Sequence, residues 1–318
     1  RKIAEINCQE VKTMRTSLSL WFKLSIGAVI WIGASMLSTA SPVSTEVLRN
    51  MIYQGIDDVT GEIKLNDGEW EGAPFVEGGA ARPTVTFVDG FRLDANLDNQ
   101  GGAETLVLLG LSMGGSGELL YLAVVGEVGG EPRNLATVLI GDRVGIVNVE
   151  TEGHRVLMDV LRAGPDDPAC CPGELATIGW EWNSRELKSV KTGVEPLRFT
   201  LKALEGTKWK LTDWDFKTPV TADATATLQF NEVGIFGNGG CNRYSAQVML
   251  GDLPGDIKVG PAIATQMACP GPGGKLESRF LRRLQSVIKI SFLATRLGLT
   301  YEIDQSFGTM YFERMAID

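Results

Sequence analysis

Short runs rich in Val, Leu and Ile, broken by Gly, Asp, Asn or Pro, follow one another along most of the chain, and such runs predict β-strands. In the first half they fall at 84–88, 91–95, 104–110, 118–126, 134–140, 144–150 and 155–161, followed by a hairpin pair, 176–182 and 186–190, with Asn183-Ser184 at its turn. A short helix over 44–53, capped by Ser44, precedes them. From about Phe199 the pattern restarts, with strands expected at 208–211, 225–230, 234–236, 257–259, 297–303 and 309–314. One clear helix interrupts this second set. Over 275–290, Leu276, Phe280, Leu284, Val287 and Ile288 recur at helical spacing on one face. Arg279, Arg282 and Arg283 fall mainly elsewhere on that helix and read as a solvated face, with an anion or partner patch as the alternative. Strands with so little helix between them pair antiparallel. The pattern therefore predicts a mainly β (β-rich α+β) fold of two antiparallel β domains in series, 41–191 and 199–318, joined by a linker at 192–198.

The N-terminal stretch has a different character. Arg15 and Lys23 are followed by an uncharged run, 24–37, and then by Ser38-Thr39-Ala40. Positive, apolar, small is the order of a secretory signal, so residues 14–40 are expected to be a signal peptide cleaved after Ala40. A spanning helix needs about 20 apolar residues, and Ser41-Pro42 ends this run early. Membrane association is expected only if the signal is kept as an anchor. Residues 1–13, which carry Cys8, read as a non-native upstream extension. The expected location is periplasmic or secreted.

Composition changes this picture in three ways. The whole chain carries a formal charge of −9; leaving out residues 1–40 removes five positive and two negative groups and takes it to −12. A field of that sign disfavours nucleic acid and anionic lipid as partners. His154 is the single histidine, which weakens any histidine-dependent mechanism. Beyond residue 40 there are four cysteines, Cys170, Cys171, Cys241 and Cys269; an even count in an oxidising compartment favours disulfides, and three connectivities are open.

Four segments of the second unit carry a family resemblance: 204–211 with Trp209; Gly239-Gly240-Cys241-Asn242-Arg243-Tyr244; Thr265-Gln266-Met267-Ala268-Cys269; and Glu277 with Phe280-Leu281. Together, over roughly 200–316, this unit resembles the META/HslJ family of bacterial envelope proteins. The resemblance implies an open barrel of antiparallel strands closed by one helix, in an exported or lipid-anchored protein tied to heat shock, antibiotic tolerance or virulence-related secretion. It brings no catalytic residues, and the lipoprotein cysteine of some relatives is missing at the signal. The residues themselves agree with it. The glycines at 237–240 allow a tight turn that delivers Cys241, Asn242 and Arg243 to one place, where Asn242 and Arg243 fix backbone and carboxylates or, alternatively, meet a ligand. Trp209, Phe230 and Tyr244 read as core aromatics. Cys241 and Cys269 either pair across the barrel, which stabilises by roughly 3 kcal/mol, or remain free and buried.

Three other constellations bear on chemistry. Gly110-Leu111-Ser112-Met113-Gly114 matches the G-x-S-x-G pattern, with Asp142 and His154 following in hydrolase order, but a strand rather than a helix follows, so a glycine-rich hairpin is favoured. Asp94, Asn96, Asp98 and Glu104 space oxygen ligands like the start of a calcium loop, imperfectly. Adjacent Cys170 and Cys171 form a strained vicinal disulfide, pair with distant partners, stay free or redox-active, or bind a soft metal; no second cluster completes a zinc site. The expectation is a non-enzymatic envelope protein without a cofactor, binding a protein partner or a small apolar ligand. An exported hydrolase using Ser112 and a calcium-stabilised binding module are the alternatives.

Overall fold

The computed structural model describes residues 42–315, apart from 58, 60, 101, 116, 169–170, 216–217 and 222. The signal segment 14–40 and the extension 1–13 lie outside the described residues. The described residues belong to one compact unit. It is mostly β, as the short apolar runs predict.

Ser44 caps helix α1 (Thr45–Leu48) by accepting the Val47 N–H. The expected helix to residue 53 ends early, because Ile52-Tyr53 form strand β1 against β2 (Ile63–Lys64). A six-stranded antiparallel sheet follows: β3 (Glu69–Glu71), β4 (Thr84–Phe87), β5 (Leu93–Ala95), β6 (Glu104–Ser112), β7 (Glu118–Val128) and β8 (Glu131–Asp142), in the order β3-β4-β6-β7-β8 with β5 on β6. A second sheet is built from β9 (Gly145–Glu152), β10 (Arg155–Arg162), β11 (Glu174–Trp182), β12 (Leu187–Val190) and β13 (Leu197–Arg198).

These two sheets pack through Leu106, Leu108, Leu122 and Val124 on one side and Val156, Met158, Val160 and Trp180 on the other. The opposite face of the first sheet is buried too, since Val107, Leu109, Tyr121 and Ala123 meet Leu48, Tyr53 and Ile63. That double burial explains why β6 and the middle of β7 are continuous apolar runs rather than alternating ones.

After a 3-10 turn at Leu201–Leu204, ten strands make the third sheet: β14 (Lys208–Trp214), β15 (Thr218–Pro219), β16 (Thr227–Asn231), β17 (Gly234–Asn238), β18 (Arg243–Leu250), β19 (Ile257–Val259), β20 (Ile263–Ala264), β21 (Val287–Leu293), β22 (Arg296–Ile303) and β23 (Ser306–Arg314). The order β19-β18-β17-β16-β14-β23-β22-β21 nearly closes on itself, and an Asp256–Lys289 bridge with an Ile290 N–H bond to Gly255 brings the two ends together. Trp209, Leu228, Phe280, Leu284, Leu299 and Phe312 fill the interior. Grooves of open space lie on the barrel's outside.

The structure differs from the sequence expectations at three places in this region. The helix predicted over 275–290 is α2, Pro272–Leu284; Val287 and Ile288 belong to β21, which pairs with β22 from Val287 onward with an irregularity at Ile288. Strand β18 begins at Arg243, directly after the Gly-Gly-Cys-Asn turn, where the sequence pattern predicts no strand. The stretch 192–198 is also tied down, because Leu197 and Arg198 pair with Leu175 and Glu174. Asp167 accepts from Arg198, and Phe199 N–H bonds Gly173 O at 2.8 Å. Val147 and Leu161, from the second sheet, pack into the barrel's core.

Candidate functional site

The residues of the C-terminal motif converge on one side chain. Asn242, on the turn between β17 and β18, is 4% exposed. Its Oδ1 accepts from Thr265 Oγ1 and from the Met267 N–H, both at 2.8 Å, and its Nδ2 donates to Glu277 Oε1 at 2.9 Å and to Met267 O at 3.3 Å. The Asn242 backbone N–H donates to Glu277 Oε2. A buried amide can do this for two segments at once because it carries both donors and an acceptor. Helix α2 is thereby held to the turn through its one carboxylate.

Gly240 makes the approach possible. It has φ +128°, and a Cβ there would lie 2.8 Å from Gly273 O at the start of α2. The Cys241–Cys269 disulfide, with Cα atoms 6.2 Å apart, closes the same junction covalently. Trp209 donates Nε1–H to Thr207 Oγ1 at 2.7 Å inside the barrel, and Tyr244 donates its hydroxyl to Thr227 O at 3.0 Å while its ring stands edge-on to Phe280. Burial pushes the Tyr244 phenol well above its ordinary range, so it stays neutral. Arg243 departs from expectation: its side chain is exposed and, among the described residues, makes no ion pair, while its carbonyl accepts the Thr265 N–H. Met267 contributes its backbone and leaves its side chain exposed. The motif is a structural clasp.

Ser112 ends β6, opposite Thr84 of β4 and Glu118 of β7, and β7 follows directly after the hairpin loop. Its Oγ accepts the Gly114 N–H at 3.4 Å. Asp142 stands close by but accepts from the Glu118 N–H and from Arg143. His154 belongs to the β9–β10 turn of the other sheet, where Nδ1 lies 3.1 Å from Leu97 O and 3.4 Å from Asn99 Nδ2. Among the described residues, no hydrogen bond links the three.

The carboxylates expected for calcium are engaged by the chain's own donors. Asp94 accepts from Arg92 and from Thr105 Oγ1; although burial opposes ionisation, these partners hold its carboxyl below the usual range. Asp98 accepts the Gln100 N–H, and Asn96 is exposed. Glu104 Oε2 accepts the Leu97 N–H at 2.7 Å, while burial, with the Asp98 charge adding to it, pushes its carboxyl up. Among the described residues no three Asp, Glu, His or Cys side chains gather to hold a metal. Cys170 lies outside the described residues; Cys171 is disulfide-bonded, with the Lys289 ammonium 3.1 Å from its sulfur.

Sequence reasoning weighed the α2 arginines as a solvated face or an anion or partner patch, but missed the aromatic rings they pack on. The Arg279 guanidinium stacks 4.2 Å from the Trp214 ring centre, and that of Arg283 lies 5.1 Å from the same ring and 5.2 Å from Tyr301. The signal was present as arginines at i and i+4, but the indole they share sits 65 residues upstream of Arg279. A groove of about 390 Å³ opens beside them, lined by Trp214, Val220, Asp223, Lys275, Leu276 and Arg279. A second, of about 590 Å³, runs between β17, β18 and 260–263, with Val233 and Ile263 exposed on its rim.

No curated protein matches the chain. Among solved structures, the chain is similar to a Burkholderia xenovorans protein determined by NMR, at 25% identity over 40% of this chain and 97% of that one, with a TM-score of 0.28. Residues 202–312, which hold the barrel strands, the Asn242 clasp and helix α2, match the model of the META domain, and the C-terminal third of this chain is a META domain.

Proposed function

We propose that this is an exported, non-catalytic protein of the cell envelope, serving in envelope maintenance or stress response, that acts by binding another envelope protein. The observation that carries the reading is the Cys241–Cys269 disulfide, which joins the two halves of the META motif. A disulfide used this way persists in an oxidising compartment, in keeping with the order of charged, apolar and small residues at 14–40. The mode of action follows from where the motif residues go. Asn242, Thr265, Glu277 and Trp209 are consumed in holding the domain together, so recognition falls to its outer surface. There the groove rimmed by Val233 and Ile263 presents apolar side chains that a partner would cover.

Fractionation with thiol trapping in a bacterial host tests the location. The expected result is protein outside the cytoplasm, beginning near residue 41, with Cys241 and Cys269 oxidised; full-length protein in the cytoplasm with both thiols free would overturn it. A photo-crosslinking residue placed at Val233 tests the mode of action. It should capture a discrete envelope protein that Ile263→Asp no longer captures, whereas equal capture by both chains, or none, counts against the groove.

A further inference from the structure

Helix α2 distributes its charges unevenly. Its one acid, Glu277, is turned inward onto Asn242, which leaves Lys275, Arg279, Arg282 and Arg283 as the charges of the outward face of a chain that is acidic overall. Arg282 reaches Asp304 at 3.5 Å. Arg283 donates Nε–H to the Tyr301 hydroxyl at 2.9 Å and Nη1–H to Arg279 O. Arg279 is different: among the described residues its guanidinium meets no acceptor, only the face of Trp214. A stacked guanidinium keeps its N–H donors in its own plane, directed at whatever lies beside the ring. Beside this one lies the groove, with Pro219, Val220 and Leu276 as apolar walls and Lys275 at its edge.

We propose that this groove is a binding site for a small amphiphilic monocarboxylate, its carboxylate taken by Arg279 and Lys275 and its apolar body laid along Trp214, Val220 and Leu276. The charge count selects the class. Of the charged groups lining the groove, Lys275 and Arg279 oppose Asp223, and just outside it the Arg283 charge is offset by that of Asp215, whose Oδ1 is engaged by the Thr309 N–H at 2.7 Å. That leaves one net positive charge, which a monoanion neutralises, whereas a phosphate dianion would leave an excess of negative charge on an already acidic chain. A carboxylate also matches the planar fork of arginine in two parallel hydrogen bonds. Partial burial, and after it the neighbouring Arg283 charge, hold Arg279 below the usual arginine range, a cost that an arriving anion relieves. The volume lies within the roughly 300–1,000 Å³ of small-ligand sites.

Calorimetric titration of the whole chain with octanoate, octan-1-ol and octyl phosphate, alongside Arg279→Gln and Arg282→Gln, tests the site. Octanoate should bind saturably at one per chain, bind R282Q as it binds the unchanged protein, and bind R279Q at least roughly ten-fold more weakly. Equal thermal midpoints of the three chains would establish that the loss is not unfolding, and a shift of the Trp214 indole N–H resonance on adding octanoate would place the ligand on the ring even if R279Q folds poorly. Octanol binding as tightly as octanoate, octyl phosphate binding more tightly, an unshifted Trp214 resonance, or no saturable octanoate binding would each overturn the proposal.

Discussion

Asn242 shows how one buried polar residue replaces several separate devices. Its amide satisfies the Thr265 hydroxyl and both backbone groups of Met267, and it holds the carboxylate that anchors α2. Truncation leaves those groups without partners in a covered site, so Asn242→Ala should cost about 3 kcal/mol, read as a lower urea midpoint with an unchanged slope. Glu277→Gln keeps one acceptor oxygen and should cost less than half as much. Asp167 carries a pH-dependent contribution of the same kind. Burial opposes its ionisation, but the N–H groups of Gly164 and Gly173 and the Arg198 guanidinium outweigh that and hold the carboxyl below its ordinary range. A depressed folded-state value means stability that is present above the unfolded pKa and lost as pH falls through the folded one. Asp167→Asn should therefore melt lower than the unchanged chain at pH 7, with the gap closing as pH drops below about 4. A gap that is constant with pH would mean the ionised carboxylate is not what stabilises.

Among elements, the junction of the second sheet with the barrel is the most constrained. Ile146 N–H donates to Ala294 O at 2.8 Å, Gly145 forms a parallel bridge with Ala294, and Arg314 reaches Val147 O. A Cβ on Gly145 would run into Phe292, a core side chain that also packs edge-on to Phe199 and Trp209. Gly145→Ala should thus cost about 2 kcal/mol through overpacking, while Gly115→Ala, in open space on the β6–β7 loop, should leave the thermal midpoint where it is. The end of α2 illustrates the limit of pattern reading at this scale. Val287 and Ile288 suit the apolar face of a helix and equally a β-strand, so periodicity continues the helix through them; pairing with β22 and closure against Gly255 decide for the strand. The strand β18 was obscured for the opposite reason, because it starts within a motif whose glycines advertise a turn.

For the whole molecule, the cores of the two halves are not independent. Val147 and Leu161 complete the barrel's hydrophobic cluster, while Ala294 of the barrel packs on the core between the first two sheets. The segment 199–318 on its own should therefore melt several degrees below the same residues in the longer chain, measured by circular dichroism on both; equal midpoints would show that the upstream sheets lend the META domain nothing. Much of this architecture was legible along the chain. The mainly β class, nine of the upstream strands, the helix and the META motif all rest on local signals: short apolar runs bounded by turn residues, a period of 3.6, and residue types at short fixed spacings. What those signals could not carry is anything that depends on which distant segments meet. Glu277 reaching 35 residues back to Asn242, Arg279 settling on Trp214, and Ser112 and His154 being placed on different sheets are each decided by the register and closure of the sheets. Local preference therefore determined the elements and the clasp residues, whereas only the tertiary structure turned the motif inward and left the arginine face of α2 open beside a groove, because burial and pairing are properties of segments brought together in space.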